Sequence, residues 1–333
     1  MTIYFLGWTA QYEKLFIADL AEKFDVVHLP EPKKLNRLNR IASKLAGNSA
    51  ATLLGKVYGR SFKFQPKDLL ICNEGQIHRK LNPAIIDSFP GQRILLVRDL
   101  VTSDFLKKWA SLFHAIYSFD QNQCDELGMT YLSQFFPMGY TRASTAAAVA
   151  NSTRPNALFI GREKGRGEIL LQLADVLAQC GCELDFRILV DEGQPKRNKY
   201  HITERVDYRD SIAASLSAKI LIEINQLGQT GLTLRTLEAA YFGKKLITNN
   251  RAITESNLYN AKNIYILDDQ PSWDVEAIKE FLSLEVEPVT QTEVYKYSPE
   301  FMLESLLHRH GGSPDAERRS PLNNANPEHK KTA

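Results

Sequence analysis

Cysteine is scarce: Cys72, Cys124, Cys180 and Cys182 are the only four in 333 residues, and no two of them form a CxxC pair. Such spacing is that of reduced cysteines in a cytoplasmic protein. Long hydrophobic runs are also lacking, since no window approaches the about 18 consecutive apolar residues of a membrane-spanning helix. The apolar N-terminus, Met1 to Trp8, has no basic segment before it and is shorter than the apolar core of a signal peptide. It reads as a first β-strand. Nor is there an excess of charge: 41 Lys and Arg stand against 39 Asp and Glu, for a net charge of +2. That balance does not point to a nucleic-acid partner, and any such claim would rest on local charge. No repeat of solenoid period is present.

What is present is 44% hydrophobic residues, enough for two cores, in a length that suits two domains of about 150 residues each. Short apolar stretches alternate with helical patterns, which argues for an α/β protein with parallel sheets. In the first half the expected strands are 3–6, 26–29, 68–72, 93–97 and 115–119, with helices over 13–24 and 103–113 among those between them. Small residues from Ala143 to Thr153, followed by Arg154-Pro155, have the composition of a linker. The second series has strands at 157–160, 184–190, 220–224 and 264–267, with helices over 167–180 and 210–216. A last helix over 298–310 is expected to cross back to the first domain. From Gly311 the chain is rich in Pro, Asn, Glu and Lys and poor in apolar residues, the composition of a disordered tail. The organisation is therefore a first domain over 1–150, a second over 151–310 and a tail over 311–333. Two such halves leave a cleft between the carboxyl ends of their sheets, where ligands bind.

Two turns in the second half could carry chemistry. Gln229-Thr230-Gly231-Leu232-Thr233-Leu234-Arg235 follows a strand and opens a helix capped by Thr230 or Thr233, and Gly243 ends that helix. Free N–H groups at such a helix start favour a phosphate. Arg235 and Glu238 share one helix face, so one could meet phosphate and the other a sugar hydroxyl. An ordinary αβ unit with a solvated Arg–Glu pair has the same pattern. The second turn, Gly161-Arg162-Glu163-Lys164-Gly165-Arg166-Gly167, again joins a strand to a helix, with glycines for close approach and three cations for countercharge. A basic surface turn is the alternative. It lacks both the GxGxxG spacing of dinucleotide sites and the GKS/T ending of a P-loop, which counts against nicotinamide or ATP chemistry.

Three segments together resemble bacterial glycosyltransferases of the lipopolysaccharide and capsule biosynthesis type, with a GT-B fold. They are Ser118-Phe119-Asp120 through Gln134-Phe135-Phe136, Phe159-Ile160-Gly161-Arg162 to Arg166, and Ala218-Lys219-Ile220 to Asn249. The resemblance spans about half the chain, mostly the second domain, and the third segment is its most specific part. It implies two Rossmann-like domains with parallel sheets facing a central cleft. It also implies a nucleotide-sugar donor held by the second domain, with no separate cofactor. Gly161, Arg162, Lys164 and Arg166 would lie near the diphosphate, while Gln229, Thr230, Gly231 and Thr233 would present N–H groups and hydroxyls to it. Glu238 would accept ribose hydroxyls, and Arg235 would neutralise the charge developing on the leaving phosphate. The absence of a DxD motif suits a metal-independent hexosyl transfer. A nucleotide-sugar epimerase of the same architecture, or a non-catalytic scaffold of polysaccharide assembly that binds glycan or nucleotide, remains as an alternative.

An inverting transferase needs a base on the first-domain side. Glu74, just past a strand, is the first candidate, then Asp99 and His78; each equally suits a cap, an ion-pair partner or a surface group. Gly7, ending the first strand, would let substrate approach or simply turn the chain, and Asp120 is read as a helix cap. Between Lys33 and Lys67 stand nine Lys or Arg and no Asp or Glu. Leu35, Leu38, Ile41 and Leu45 recur there at helical spacing beside Lys34, Arg37, Arg40 and Lys44. The expectation is that this stripe packs on the first sheet while the basic face meets an anionic membrane or a phosphorylated, lipid-linked or lipid A-core type acceptor. The resulting expectation is a peripheral enzyme on the inner face of the plasma membrane.

Overall fold

The computed structural model describes residues 1–149, 156–226, 228–268 and 273–310, with backbone only for 42–48 and 149. The tail from Gly311, the second half of the expected linker, and the side chains of Lys44 and Leu45 lie outside the described residues.

The first domain runs β1 (Ile3–Leu6), α1 (Gln11–Ala21), β2 (Val26–His28), α2 (Lys33–Phe62), β3 (Leu69–Asn73), α3 (Asn82–Ser88), β4 (Gln92–Val97), α4 (Ser103–Trp109), β5 (Ala115–Ser118), α5 (Gln121–Leu127) and β6 (Thr130–Tyr131), followed by α6 (Tyr140–Val149). Its sheet has the order β2-β1-β3-β4-β5-β6, with every pairing parallel. The second domain runs β7 (Asn156–Arg162), α7 (Gly167–Gln179), β8 (Glu183–Leu189), β9 (His201–Ile202), α8 (Tyr208–Ser217), β10 (Ile220–Glu223), α9 (Leu234–Phe242), β11 (Lys245–Thr248) and β12 (Ile264–Ile266). α10 (Val275–Ser283), α11 (Gln291–Tyr295) and α12 (Pro299–His310) complete it. Its sheet is likewise parallel, in the order β12-β11-β10-β7-β8-β9. The fold class expected from the sequence holds: α/β, with two Rossmann-like domains whose parallel sheets face a central cleft, the GT-B arrangement.

Side-chain alternation explains why both faces of each sheet are covered. Tyr4, Leu6, Leu70 and Leu95 enter one core while Ile3, Phe5, Ile71 and Ile94 enter the other. In the second sheet Leu158, Leu221 and Leu246 oppose Phe159, Ile222 and Ile247. Strands buried on both sides read as unbroken apolar runs, which is why they were legible.

The expected linker is a helix where it is described: α6 covers its first half. Alanine is the best helix former, and Ala143 is buried in the core that Leu158 and Leu237 share. α12 does cross back, placing Met302, Leu303 and Leu306 in the first domain's core beside Ile3 and Phe16. Two buried carboxylates pin these crossings. Asp19 accepts from Gly139 N at 2.8 Å and from Arg142, and Glu300 accepts from Tyr140 N at 3.1 Å and Lys23 Nζ at 3.0 Å.

Candidate functional site

Strand order locates the site. In each sheet the chain reverses direction across the sheet between two central strands, β1 and β3 in the first and β7 and β10 in the second, and their carboxyl ends open into the crevice. A cavity of about 420 Å³ lies there, reached by Tyr12 and Arg98 from the first domain and by Gly161, Lys164, Arg166, Glu223, Arg235 and Glu238 from the second. That volume falls within the about 300–1,000 Å³ usual for small-molecule sites.

On the second-domain wall the helix start is built around Glu223, a carboxylate with 4% exposure at the end of β10. Its Oε1 accepts from the hydroxyls of Thr233 and Thr236, and its Oε2 accepts from Thr248 Oγ1 at 2.7 Å. Thr233 is the N-cap of α9, receiving Arg235 N at 3.1 Å, and Gly243 ends the helix in the left-handed region. The expected cap and stop therefore stand, but the Thr233 hydroxyl hydrogen goes to Glu223 and is not offered to a phosphate.

Glu238 lies one turn further along α9, with 4% exposure. Its Oε2 accepts from Ser215 Oγ at 2.7 Å and from Arg235 Nη1, and burial pushes its carboxyl up from the ordinary value. Oε1 has no partner among the described residues, and the residue lines the cavity. Arg235 is spoken for by this pair, by Ser215 Oγ at 2.7 Å and by the Ile160 carbonyl at 3.3 Å. Its charge is thus spent largely on Glu238, which corrects the expectation of an arginine free to meet phosphate.

The other phosphate-type turn divides its cations. Arg166 donates to the carbonyls of Ile224, Arg162 and Glu163, tying the end of β7 to the end of β10, and burial lowers its pKa. Lys164 lines the cavity with backbone in the left-handed region, φ 44°, and its Nζ is 4.0 Å from Asp99 across the cleft. Gly161 lines the cavity too, whereas Arg162 is exposed and is not part of its wall.

Thr230 and Gly231 are placed differently from expectation. Their N–H groups donate to Asp120 Oδ2 of the first domain at 2.9 and 2.8 Å, with the Thr230 hydroxyl at 3.2 Å. These two N–H groups, expected to greet a phosphate, already hold a carboxylate, and neither residue lines the cavity, whereas Gln229 before them and Thr233 after them do. Asp120 also caps α5 through Oδ1 to Gln123 N at 3.0 Å, as read from the sequence.

On the first-domain side Tyr12, Arg98, Phe119 and Gln134 form the wall, and none of the three base candidates lines it. Glu74 accepts Arg98 N at 3.0 Å, and burial raises its carboxyl above the ordinary value. Asp99 is 63% exposed and His78 is exposed. Gly7 has φ 87°, and an added Cβ would stand 2.7 Å from Gln76 Cβ, so its close neighbour is this chain rather than a substrate.

The sequence reading missed Arg98. Its Nε donates to Gln134 Oε1 at 2.9 Å, its Nη2 to the Phe135 carbonyl at 3.1 Å, and its plane sits 4.1 Å over the Phe135 ring. Nη1 is buried without a hydrogen-bond partner among the described residues, near Tyr12, Glu13, Glu74 and Tyr208. Its place directly after β4 is the signal in the sequence that marks it. Glu223 was missed because its hydrogen-bond partners lie on other elements.

No family model and no curated protein matches the chain. Solved structures similar to it include the pneumococcal O-GlcNAc transferase GtfA in complex with UDP and GlcNAc, at 12% identity over 77% of this chain and 59% of that one, TM-score 0.44. Another is a glycosyltransferase from Rickettsia africae, at 11% identity over 93% and 97% of the two chains, TM-score 0.49. A third is the UDP-GlcNAc 2-epimerase of Methanocaldococcus jannaschii in complex with UDP-GlcNAc and UDP, at 9% identity over 92% and 99%, TM-score 0.47. The chain spans less than two thirds of the length of the first of these. At such identities and scores the similarity says nothing of activity.

Proposed function

We propose that the chain is a glycosyltransferase that moves a hexosyl group from a nucleotide-sugar donor to a surface-glycan acceptor of the lipopolysaccharide, capsule or exopolysaccharide kind. The observation that carries this reading is the cavity at the β7/β10 reversal, where an open carboxylate oxygen and a cationic glycine turn face one space. Glu238 Oε1 would accept ribose hydroxyl hydrogens, with Arg235 and Ser215 holding the carboxylate in place. Gly161, Lys164 and Arg166 would flank the diphosphate with Gln229, and Lys164 supplies the charge least committed to the protein. Fixed cations of this sort stabilise the charge on a departing nucleoside diphosphate, so no cofactor or metal enters the scheme.

Glu74 is the favoured base for the acceptor hydroxyl, because a carboxyl raised by burial is better matched to proton abstraction near neutrality.

The acceptor is read as lipid-linked or of lipid A-core type, which places the enzyme on the cytoplasmic face of the plasma membrane. The surface of α2 supports this. Leu35 packs against the first domain's core, but Leu38 and Ile41 are 52% and 59% exposed, so most of the described stripe is not packed as expected; further along α2, Leu53 and Val57 are 64% and 43% exposed. Leu53, Lys56 and Arg60 fall on one helix face at steps of three and four, and the exposed Lys63 follows as the helix's C-cap. An exposed apolar and basic face of this kind suits an anionic bilayer. Among the described residues no helix is long and apolar enough to cross a membrane.

The test is to incubate the protein with a panel of nucleotide-sugars, with and without membrane glycolipid. Nucleoside diphosphate released only with acceptor supports transfer. Conversion of a nucleotide-sugar alone would identify an epimerase, and glycan binding with no turnover at all would identify a scaffold.

A further inference from the structure

Asp120 does more than cap a helix. A cap needs one carboxylate oxygen and tolerates exposure, yet Asp120 has 0% exposure and its second oxygen gathers three donors from the other domain, 110 and 111 residues away. Burying a charge in this way is costly unless its hydrogen bonds are met. Here Oδ1 is met within its own domain, while every donor to Oδ2 comes from the other one.

The turn it grips is itself fastened to the second sheet: Asn250 Nδ2 donates to the Thr230 carbonyl at 3.1 Å and Asn225 Nδ2 to the Gln229 carbonyl at 3.3 Å. Two residues beyond Gly231 stands the cap of α9, and four beyond stands Arg235. Gly231 allows the approach, because a Cβ there would lie 2.5 Å from Phe119 Cδ2 and 2.8 Å from the Phe119 carbonyl oxygen. Phe119 also lines the cavity.

We propose that Asp120 is an interdomain latch, a positioning residue whose carboxylate holds the cleft closed and fixes the turn that leads into α9. Its consequence for donor binding rests on the nucleotide-sugar reading; its consequence for domain closure does not.

Asp120→Asn separates cap from latch. Asparagine caps a helix as well as aspartate does, but its amide group would face donors where Oδ2 accepted them. Gly231→Ala wedges the same interface without touching the carboxylate. In both variants we expect the full chain to stay folded by circular dichroism, with a larger radius of gyration in X-ray scattering. The amides of Thr230 and Gly231 should exchange hydrogen at least about tenfold faster, and nucleoside-diphosphate affinity should fall about tenfold. Unchanged compactness and unchanged exchange in both variants would overturn the latch. If these change while nucleoside-diphosphate affinity and turnover do not, Asp120 joins the domains without positioning the site, and that half of the proposal is overturned. If the unaltered protein binds no nucleoside diphosphate, the donor reading falls, and scattering with exchange still decides the latch.

Discussion

Glu74 and Glu238 are both carboxyls pushed up by burial, and they are expected to behave differently because only one is paired. Arg235 opposes the upward shift at Glu238, whereas Glu74 has a backbone N–H from Arg98 and a more distant guanidinium charge. A base must be ionised to accept a proton, so kcat/KM should fall as pH drops through Glu74's raised value, with the acid limb above the ordinary 4.5. Glu74→Gln should lower kcat about 10²- to 10⁴-fold and abolish that limb, as a pH–rate profile would record. For stability the sign is opposite: a carboxyl raised on folding favours the folded state at low pH and loses that contribution as pH rises through the folded value. Of the second-domain site residues, Gly161, Lys164, Arg166, Gln229, Thr233, Arg235 and Glu238 were legible in the sequence as a group, and all reach the cavity wall. What was not legible was which donors were already spent. Asp120 lies more than a hundred residues from Thr230, and local pattern carries no trace of that partnership.

At the scale of elements, α9 depends on Thr233 twice, as its cap and as one of three hydroxyls that satisfy the buried Glu223. Thr233→Ala removes a cap and one donor to a buried carboxylate, so it should lower stability by roughly 2–4 kcal/mol, read as a drop in the urea midpoint. α2 should respond in the opposite manner, since its charges are exposed. Reversing Lys56, Arg60 and Lys63 to Glu should leave stability within about 0.5 kcal/mol per site while weakening binding to anionic vesicles at least about 100-fold; a flotation assay checks this. Central strands were readable to within a residue or two because burial on both faces makes them unbroken apolar runs. The two-residue edge strands β6 and β9 have no such signature. The small residues from Ala143 were misread because alanine is common to linkers and helices, and only packing against α9 decides between them.

For the whole molecule, stability is shared across the cleft. Leu303 has 0% exposure, yet it belongs to the last helix of the chain and packs in the core of the first domain. Leu303→Ala should therefore cost about 2–5 kcal/mol and show as a lowered thermal midpoint, with peptides from β1 and α1 exchanging faster. Two-domain architecture and the cleft were legible from the alternation of strands and helices, but the way α6 and α12 exchange sides was only partly so. Such exchange is set by Asp19 and Glu300, buried acids whose backbone partners lie 120 and 160 residues away along the chain. The central claim, a nucleotide-sugar held at the β7/β10 reversal, is tested most directly by calorimetric titration of nucleoside diphosphates into the protein and into Glu238→Gln. One diphosphate should bind the unaltered protein, and the variant should bind it about tenfold or more weakly, the cost of weakening a charge-assisted hydrogen bond. No binding by any of them, or equal binding by both proteins, would contradict it.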